Sequence, residues 1–496
     1  MVSATDNNEN TPLLESSRSQ QGILSKILPR WTWIQWRVML IAAFLMFSVN
    51  FGHFVGTAPQ LKIFEDIICE NYKRSLDQEA AHANIYIDSI CKSEHVQSEL
   101  ALISGWKNTL DVLPALALAL PYGVLADKIG RRPFVILSTA ATALSECWPR
   151  VLCWFNWPLR LVWLTGMFRA PGGGDQFAMF MLMTIIADVF NEEQRATALF
   201  CLVSLPNIAE VVATPISATT MIINPWIPFM LGPIFVLVGA AFSVLVPETL
   251  DESNRRLVLE DPGDQEIAGP LQASLLKRSL LRLAISKAEH FVTETEFIWR
   301  NPRLLICLAV VLAGILDRSS SFLLMQYAST KYHWSISQAS YLNLIRSCMT
   351  LATFLVFVPL LSSFLIRRLH CTTLKKDLTI SRIAAVSGII GYFLIFIASG
   401  PIPLIIGCLF LSLSMPFVVA IISVATSFTP AEHVATLYTA MSVSQSIGII
   451  IAGPVFAKLY AAGMHMGIEW SGLPFAVAGS LFAVILIPLL FLGMDS

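Results

Sequence analysis

The sequence predicts an all-α integral membrane fold of twelve transmembrane helices in two six-helix bundles. Of the 496 residues, 55% are hydrophobic and 14% are charged, whereas about a quarter of the residues in a soluble protein are charged. The mean hydropathy of +0.66 comes from long apolar runs, and several exceed the roughly 18 residues that indicate a membrane span. A water-soluble fold could not bury this much apolar surface, so we expect the lipid bilayer to surround the chain.

Twelve apolar segments divide evenly around one long polar stretch. Six precede it, at residues 38–57, 100–124, 134–154, 161–187, 196–221 and 227–246. Six follow it, at residues 304–328, 337–365, 380–399, 402–427, 434–460 and 472–493. The division resembles an internal repeat in hydropathy. It predicts four regions: a polar tail (1–35), an N-terminal bundle (36–249), a central loop (250–302) and a C-terminal bundle (303–496).

The distribution of lysine and arginine predicts the orientation. If the N-terminus lies in the cytoplasm, 20 of these residues lie on the cytoplasmic side and eight on the other. The positive-inside rule then places both termini and the central loop in the cytoplasm.

No short apolar stretch with a cleavage site precedes the first span, so we expect no signal peptide. We expect the plasma membrane. The vacuolar membrane is the alternative, because Glu9 to Leu14 has the form of an acidic dileucine sorting signal.

Several classes of protein are excluded by what the sequence lacks. A net charge of -1 without a dense basic tract argues against nucleic acid as a partner. No GxSxG, HExxH or GxxxxGK[ST] motif occurs in a supporting context, so we expect no enzyme activity, no ATP hydrolysis and no cofactor. No Cys/His cluster indicates a metal. We expect a monomer.

Cys69 and Cys91 share one polar loop. If that loop faces an oxidising compartment, a disulfide can close it, but spacing alone leaves a disulfide and two free thiols both open.

The loop after the second apolar segment carries the most specific motif, GVLADKIGRR (Gly123 to Arg132). It resembles the signature G-x-L-a-D-r-x-G-R-R/K of the major facilitator superfamily, at the expected place and on the expected side. The resemblance implies the major facilitator fold of a secondary transporter. It also implies that this loop latches the two bundles together, with these gating residues: Gly123, Asp127, Gly130, Arg131 and Arg132. Asp188 and Arg195 resemble an inner-face charge pair that is common in the superfamily. The resemblance implies a gating or supporting role for them.

The fourth segment carries Arg169 beside three glycines and Asp175. A charge at mid-span costs ~2.5 to 3.5 kcal/mol on insertion scales, so it normally faces the bundle interior. Arg169 and Gly173 resemble the R-x-x-q-G pattern of drug:proton antiporters, although Gly172 replaces the glutamine. This favours a role in substrate or proton coupling over a structural ion pair.

The fifth segment holds Glu210 between Pro206 and Pro215. Only Pro215 matches the antiporter signature g-x-x-x-G-P-x-x-G-G, which weakens an assignment to the classical antiporters. Glu210 supplies a protonatable group in the membrane. Proton coupling and a stabilising pair with Arg169 are both open.

Further polar residues lie within other spans. Lys107 and Asp111 are four residues apart in the second segment, and an internal salt bridge is the favoured interpretation. Asp317 of the seventh segment and Arg346 of the eighth predict an intramembrane pair. We name four candidate substrate contacts: Gln326, Tyr327, Tyr438 and Gln445.

The likeness covers nearly the full chain beyond about residue 35, and the chain resembles fungal major facilitator proteins, many of them associated with secondary metabolism. It implies proton-coupled export of a small organic compound, such as a secondary metabolite or toxin. Uptake of a nutrient or vitamin on the same fold is the alternative, because sequence does not set direction. A non-transporting receptor is a remote third hypothesis, since the chain has no large cytoplasmic tail.

Overall fold

The computed structural model describes residues 31–79, 90–249, 296–370, 372–430 and 433–492. The dileucine motif and most of the predicted tail and central loop lie outside these residues.

The first half of the chain contributes seven α-helices to the described part. They are α1 (Trp33–Glu79), α2 (Glu94–Ile129), α3 (Arg132–Trp154), α4 (Thr165–Arg169), α5 (Asp175–Val189), α6 (Glu192–Ile223) and α7 (Trp226–Phe242).

The second half of the chain contributes ten helices to the described part. They are α8 (Glu296–Arg300), α9 (Pro302–Gly314), α10 (Leu316–Lys331), α11 (Ile336–Ala352), α12 (Val358–Arg367), α13 (Thr373–Ile397), α14 (Pro401–Ser414), α15 (Phe417–Ser427), α16 (Val434–Met466) and α17 (Leu473–Phe491). A π-helical turn, Thr353–Phe357, joins α11 to α12.

Eight helical segments of the described residues are long and apolar enough to cross a membrane. They are Trp33–Leu76, Thr197–Ile223, Trp226–Leu245, Ile336–Arg367, Thr373–Ile397, Pro401–Ser427, Thr436–Met466 and Ile468–Phe491. The all-α membrane fold is thereby confirmed, while the number twelve stays a prediction. Of the other helices, α3 carries two buried charges, Glu146 and Arg150, within its apolar sequence.

The helices of each half pack by close backbone approach. In the first half α1 lies against α6 and α7. A Cβ added at Gly52 of α1 would lie 2.5 Å from the carbonyl oxygen of Gly232 in α7, so only glycine permits this spacing. In the second half α13 packs between α14 and α17, around the buried rings of Tyr392 and Phe482.

The helix that carries Arg169 is interrupted rather than continuous. α4 ends at Arg169, a 3-10 turn follows over Ala170–Gly172, and α5 begins at Asp175. Gly173 and Gly174 have φ angles of 71° and 81°, which residues with a side chain seldom adopt. The glycines therefore break the helix just after the charge.

The two halves meet along α2 with α16 and α6 with α11. Gly105 of α2 and Gly453 of α16 lie where these helices are closest, because a Cβ at either would lie within 2.6 Å of the other's carbonyl oxygen. A disulfide joins Cys69 to Cys91 and so ties the last turns of α1 to the chain before α2. We call this end of the molecule the disulfide end.

Candidate functional site

A cavity lies between the two halves of the chain. Helices α1, α2 and α3 line one wall, and α10 and α16 line the other. The two walls differ in chemistry.

The wall from the first half carries the ionisable residues of the cavity. Its ionisable residues are His53, Lys107, Glu146 and Arg150, and amide and hydroxyl side chains lie between them. The facing wall is largely apolar, with Leu323, Met325, Ile449, Phe456 and Ala457, and Gln326 is its polar member among the described lining residues. A ligand with one polar and one apolar face matches this arrangement.

Glu146 is the centre of the polar wall. Its Oε2 atom lies 2.7 Å from Arg150 Nη1, and its Oε1 atom lies 3.3 Å from Arg169 Nη2 and 3.2 Å from His53 Nδ1. The carboxylate side chain is 7% exposed, and both arginines are similarly buried. Removing one member of such a group leaves an uncompensated charge in a medium of low dielectric constant. The three charged groups therefore depend on one another.

Both arginines are also anchored away from Glu146. Arg150 Nε donates to the carbonyl oxygen of Phe229 at 3.1 Å, and its guanidinium carbon lies 4.5 Å from the centre of the Phe229 ring. Arg169 Nε donates to Ser145 Oγ at 3.0 Å. These contacts fix the arginine planes, so the carboxylate has a preformed set of donors.

A second buried ion pair lies beside this group. Lys107 Nζ is 2.8 Å from Asp111 Oδ2, and Thr165 Oγ1 donates to Asp111 Oδ1 at 2.5 Å. The predicted internal salt bridge of α2 is confirmed. Because Lys107 also lines the cavity, this pair adds to the charged part of the cavity wall.

Hydrogen bonds join the two halves at the disulfide end. Gln326 Nε2 donates to the backbone oxygen of Gln97 at 2.7 Å and to its side-chain oxygen at 3.0 Å. Thr330 Oγ1 donates to the same side-chain oxygen at 3.1 Å. Lys92 binds Glu65 Oε1 at 2.6 Å within the first half and Ser329 Oγ at 2.6 Å in the second. We call these six residues the closing network, because they link the two halves on this side of the cavity.

Comparison with known proteins decides the family. Residues 93–453 match the model of the family described as Major Facilitator Superfamily. The chain belongs to the Major Facilitator Superfamily.

Relatives and solved structures agree with this assignment. The chain is 32% identical to an MFS-type transporter, avaK, of Aspergillus versicolor, over 91% of this chain and 92% of that protein. It is 31% identical to an MFS efflux pump, atnC, of Emericella nidulans, over 90% and 86% of the two chains. A structure of the nucleoside transporter NupG superposes with a TM-score of 0.56 at 13% identity, covering 93% of this chain and 100% of that one.

The superfamily assignment confirms several predictions. The protein is a multi-pass membrane transporter for a small-molecule substrate, it has the major facilitator fold, and it is not an enzyme. Its resemblance to fungal exporters is confirmed as well, since relatives at 30 to 32% identity include fungal efflux pumps.

The superfamily loop after α2 contacts the segment that follows α7. The backbone nitrogens of Arg131 and Arg132 donate to Glu248 at 3.0 and 3.1 Å, and Arg131 forms an ion pair with Asp188. Thr249 Oγ1 also donates to Asp188, at 3.0 Å. Glu248 is not among the predicted gating residues. Gly130 has a φ of 119°, which accounts for glycine at that position.

The other predicted gating and coupling residues have varied placements. The side chains of Asp127, Asp175 and Asp317 lie outside the described residues. Gly123 lies within α2, and Arg195 is half-buried in the first turn of α6. The predicted pairing of Asp317 with Arg346 therefore stays a prediction.

Of the predicted coupling residues, Arg169 lies in the charged group around Glu146. Glu210 is half-buried on α6, and its role stays a prediction. The structure describes an ion pair of Arg169 with Glu146, a carboxylate that the sequence analysis did not single out.

The predicted substrate contacts are dispersed. Gln326 lines the cavity and belongs to the closing network. Tyr327 is fully buried within the second half, where its hydroxyl donates to the carbonyl oxygen of Ile395 at 2.7 Å. Tyr438 is 49% exposed, and Gln445 is half-buried. As substrate contacts, all four stay predictions.

Sequence reasoning missed His53, Glu146 and Arg150. A signal was present for two of them, because Glu146 and Arg150 are an acid and a base four residues apart within an apolar span. The same spacing drew attention to Lys107 and Asp111. His53 gives no such signal, since a single histidine in an apolar run is commonly a core residue.

Proposed function

We propose that this transporter exports a small amphipathic organic compound in exchange for protons. The single observation that carries the proposal is the cavity, whose charged wall around Glu146 faces an apolar wall. Ionisable residues inside a membrane protein are costly and typically mark substrate or proton pathways. The apolar wall suits the hydrophobic part of such a compound.

The direction of transport is supported by the relatives. Two of them are named efflux pumps, and they are 31% and 30% identical to this chain over most of its length. Export of a compound against its gradient needs an energy source. Proton exchange fits an ionisable group that lines the substrate cavity, with Arg169, Glu146 and Glu210 as the candidate coupling residues.

Alternating access follows from the way in which the cavity is closed. We infer that residues 36–249 and 303–496 move as two bodies and that the closing network separates when the cavity opens at the disulfide end. The distribution of lysine and arginine supports placing this end on the non-cytoplasmic side, with both termini in the cytoplasm. In the structure described, the cavity would then receive its substrate from the cytoplasm.

The membrane that holds the protein is proposed to be the plasma membrane. Replacing Leu13 and Leu14 by alanine tests the alternative. A tagged protein that moves from the vacuole to the cell surface on this change would assign it to the vacuolar membrane.

The test of export is an accumulation assay in a yeast host whose own drug pumps are deleted. Cells receive an anionic, a neutral and a cationic amphipathic fluorophore in parallel, with the protein absent or present or carrying Glu146→Gln. We expect at least one fluorophore to accumulate less when the wild type is present, and the variant to lose this effect. Dissipating the pH gradient with a protonophore should abolish it too.

Glu210→Gln is tested in parallel because Glu210 is the other candidate carboxylate, and the amount of protein in the membrane must be equal in all strains. Higher accumulation with the wild type would indicate uptake. Export that persists in the presence of the protonophore would contradict proton exchange.

A further inference from the structure

His53 joins the cavity to the charged group around Glu146. It lies on α1 and lines the cavity, and its side chain is 41% exposed. Its Nδ1 atom is 3.2 Å from Oε1 of Glu146, which is only 7% exposed. An accessible imidazole is thus joined directly to a buried, ionic carboxylate.

We propose that His53 is the residue that takes up and releases the coupled proton and that Glu146 is its positioning residue. This inference rests on the proposed proton exchange and assigns that step to one side chain.

The neighbours of Glu146 indicate why the proton does not reside on the carboxylate. Both of its oxygens face guanidinium groups, those of Arg150 and Arg169. A proton on Glu146 would leave two buried cations without their carboxylate, which is strongly unfavourable. Arginine does not lose its own proton in proteins. His53 is the member of the group that can change charge while the ion pairs persist.

Glu146 also determines which imidazole nitrogen is available. An ionised carboxylate only accepts hydrogen bonds, so the Nδ1 atom of His53 must carry a hydrogen and donate it to Oε1. The Nε2 atom of neutral His53 then holds the lone pair. A proton arriving from water in the cavity binds at Nε2, and the same N–H bond breaks when the proton leaves to the other side.

The chemistry of imidazole suits a proton that is bound and released in each cycle. Histidine is the side chain that changes charge between about pH 5 and 8, the range in which a cell can set a gradient.

Other helices packed beside α1 carry further ionisable residues. On α2, Lys107 and Asp111 compensate one another at 2.8 Å, and on α5, Asp188 is paired with Arg131. Glu210 lies on α6 and Arg346 on α11, both half-buried. The sequence of α7 from Trp226 to Phe242 contains no ionisable residue. Glu210 is therefore a further carboxylate that the experiment must distinguish from His53.

The test follows the conformation of the purified protein in lipid vesicles and needs no substrate. Spin labels are placed at the disulfide end, at Arg160→Cys in the first half and Glu469→Cys in the second, in a background with the exposed Cys201 and Cys348 replaced by serine. We expect the distance between labels to change between pH 5 and 8 in the wild-type background. His53→Gln, which retains a donor for Glu146 but cannot titrate, should remove that change.

Two further variants complete the design. His465→Gln makes the same substitution at the exposed end of α16 and should leave the pH profile intact. Glu210→Gln replaces the competing candidate carboxylate and so separates its contribution from that of His53. A pH profile unchanged by His53→Gln, or one abolished by Glu210→Gln alone, would overturn the inference.

A second measurement uses the unmodified protein and so does not depend on a variant folding. Diethyl pyrocarbonate reacts with neutral imidazole, and peptide mass spectrometry reports its rate at each histidine. We expect the rate at His53 to rise as pH increases from 5 to 8. A rate that stays constant over this range would show that His53 does not exchange a proton.

These outcomes are separable from the failure of the proposed function. If the pH-dependent change in label distance requires His53 and the modification rate of His53 depends on pH, but no fluorophore is exported, proton binding stands and export is wrong. If export depends on the pH gradient and is unaffected by His53→Gln, export stands and the assignment to His53 is wrong.

Discussion

The two walls of the cavity come from the two halves of the chain, and they are stabilised by different interactions. In the first half, Lys107, Asp111, Glu146, Arg150 and Arg169 are all buried and ion-paired. In the described part of the second half, the buried polar residues are chiefly hydroxyl and amide side chains, such as Tyr327, Gln326 and Ser412, and Asp377 is a buried charge near the start of α13.

This difference indicates a division of roles. Buried charges are costly unless compensated, and they respond strongly to protons and charged ligands. Hydrogen bonds between neutral groups in membrane proteins average about 0.6 kcal/mol and hold helices together with little response to pH. Under the proposed function, we expect the first half to carry the chemistry of coupling and the second half to supply a surface against which the substrate packs.

The largest effect is expected from Glu146→Leu. Removing the carboxylate leaves Arg150 and Arg169 buried without their shared anion, and we expect the free energy of unfolding to fall by about 3–5 kcal/mol. Thermal and denaturant unfolding of the protein in detergent micelles measure this. The control Glu99→Leu removes an acid whose contact with Arg160 is at the surface, at 3.5 Å, and should change stability by less than about 1 kcal/mol. Equal effects of the two would contradict a buried charge group.

A double-mutant cycle on Lys107 and Asp111 is expected to have the next largest effect. Each single change, Lys107→Met or Asp111→Leu, leaves one buried charge and should lower stability by about 3 kcal/mol. The double variant leaves neither charge and should be more stable than either single variant. Additive losses in the cycle would mean that water compensates the charges and that the pair is not buried.

A smaller loss of stability is expected when the closing network between the two halves is weakened. Gln326→Leu removes both hydrogen bonds to Gln97, and we expect a loss of about 1–3 kcal/mol together with faster thiol labelling of a cysteine placed at Leu323. Gln338→Leu is the control, because Gln338 lies at the same end but bonds Ser335 within its own half. Labelling that is unchanged by Gln326→Leu would show that the network does not close the cavity.

The smallest effect is expected within the second half, from Tyr327→Phe. The change removes the hydroxyl that donates to Ile395 and should lower stability by about 0.6 kcal/mol without altering export. Export is measured in the accumulation assay at equal protein level. A variant of normal stability that no longer exports would support Tyr327 as a substrate contact.

Much of the fold was predictable because the bilayer imposes a simple rule. Each span must satisfy its backbone internally and present apolar side chains to lipid, so hydropathy alone reveals long helices such as α1, α13 and α16. The site was only partly predictable. Arg169 and the Lys107–Asp111 pair were recognisable as charges within spans, whereas Glu146, the centre of the charged group, was overlooked although the same signal was present.

The sequence by itself determined the membrane environment, the helical segments and the superfamily resemblance, because hydropathy and the GVLADKIGRR motif are local properties of the chain. Only the tertiary structure decided which charges meet. Glu146 and Arg150 lie on α3, Arg169 ends α4 and His53 lies on α1, and no sequence spacing relates residues as far apart as 53 and 146. Helix packing brings them to one wall, since a buried charge in the membrane is stable only where another helix supplies its partner.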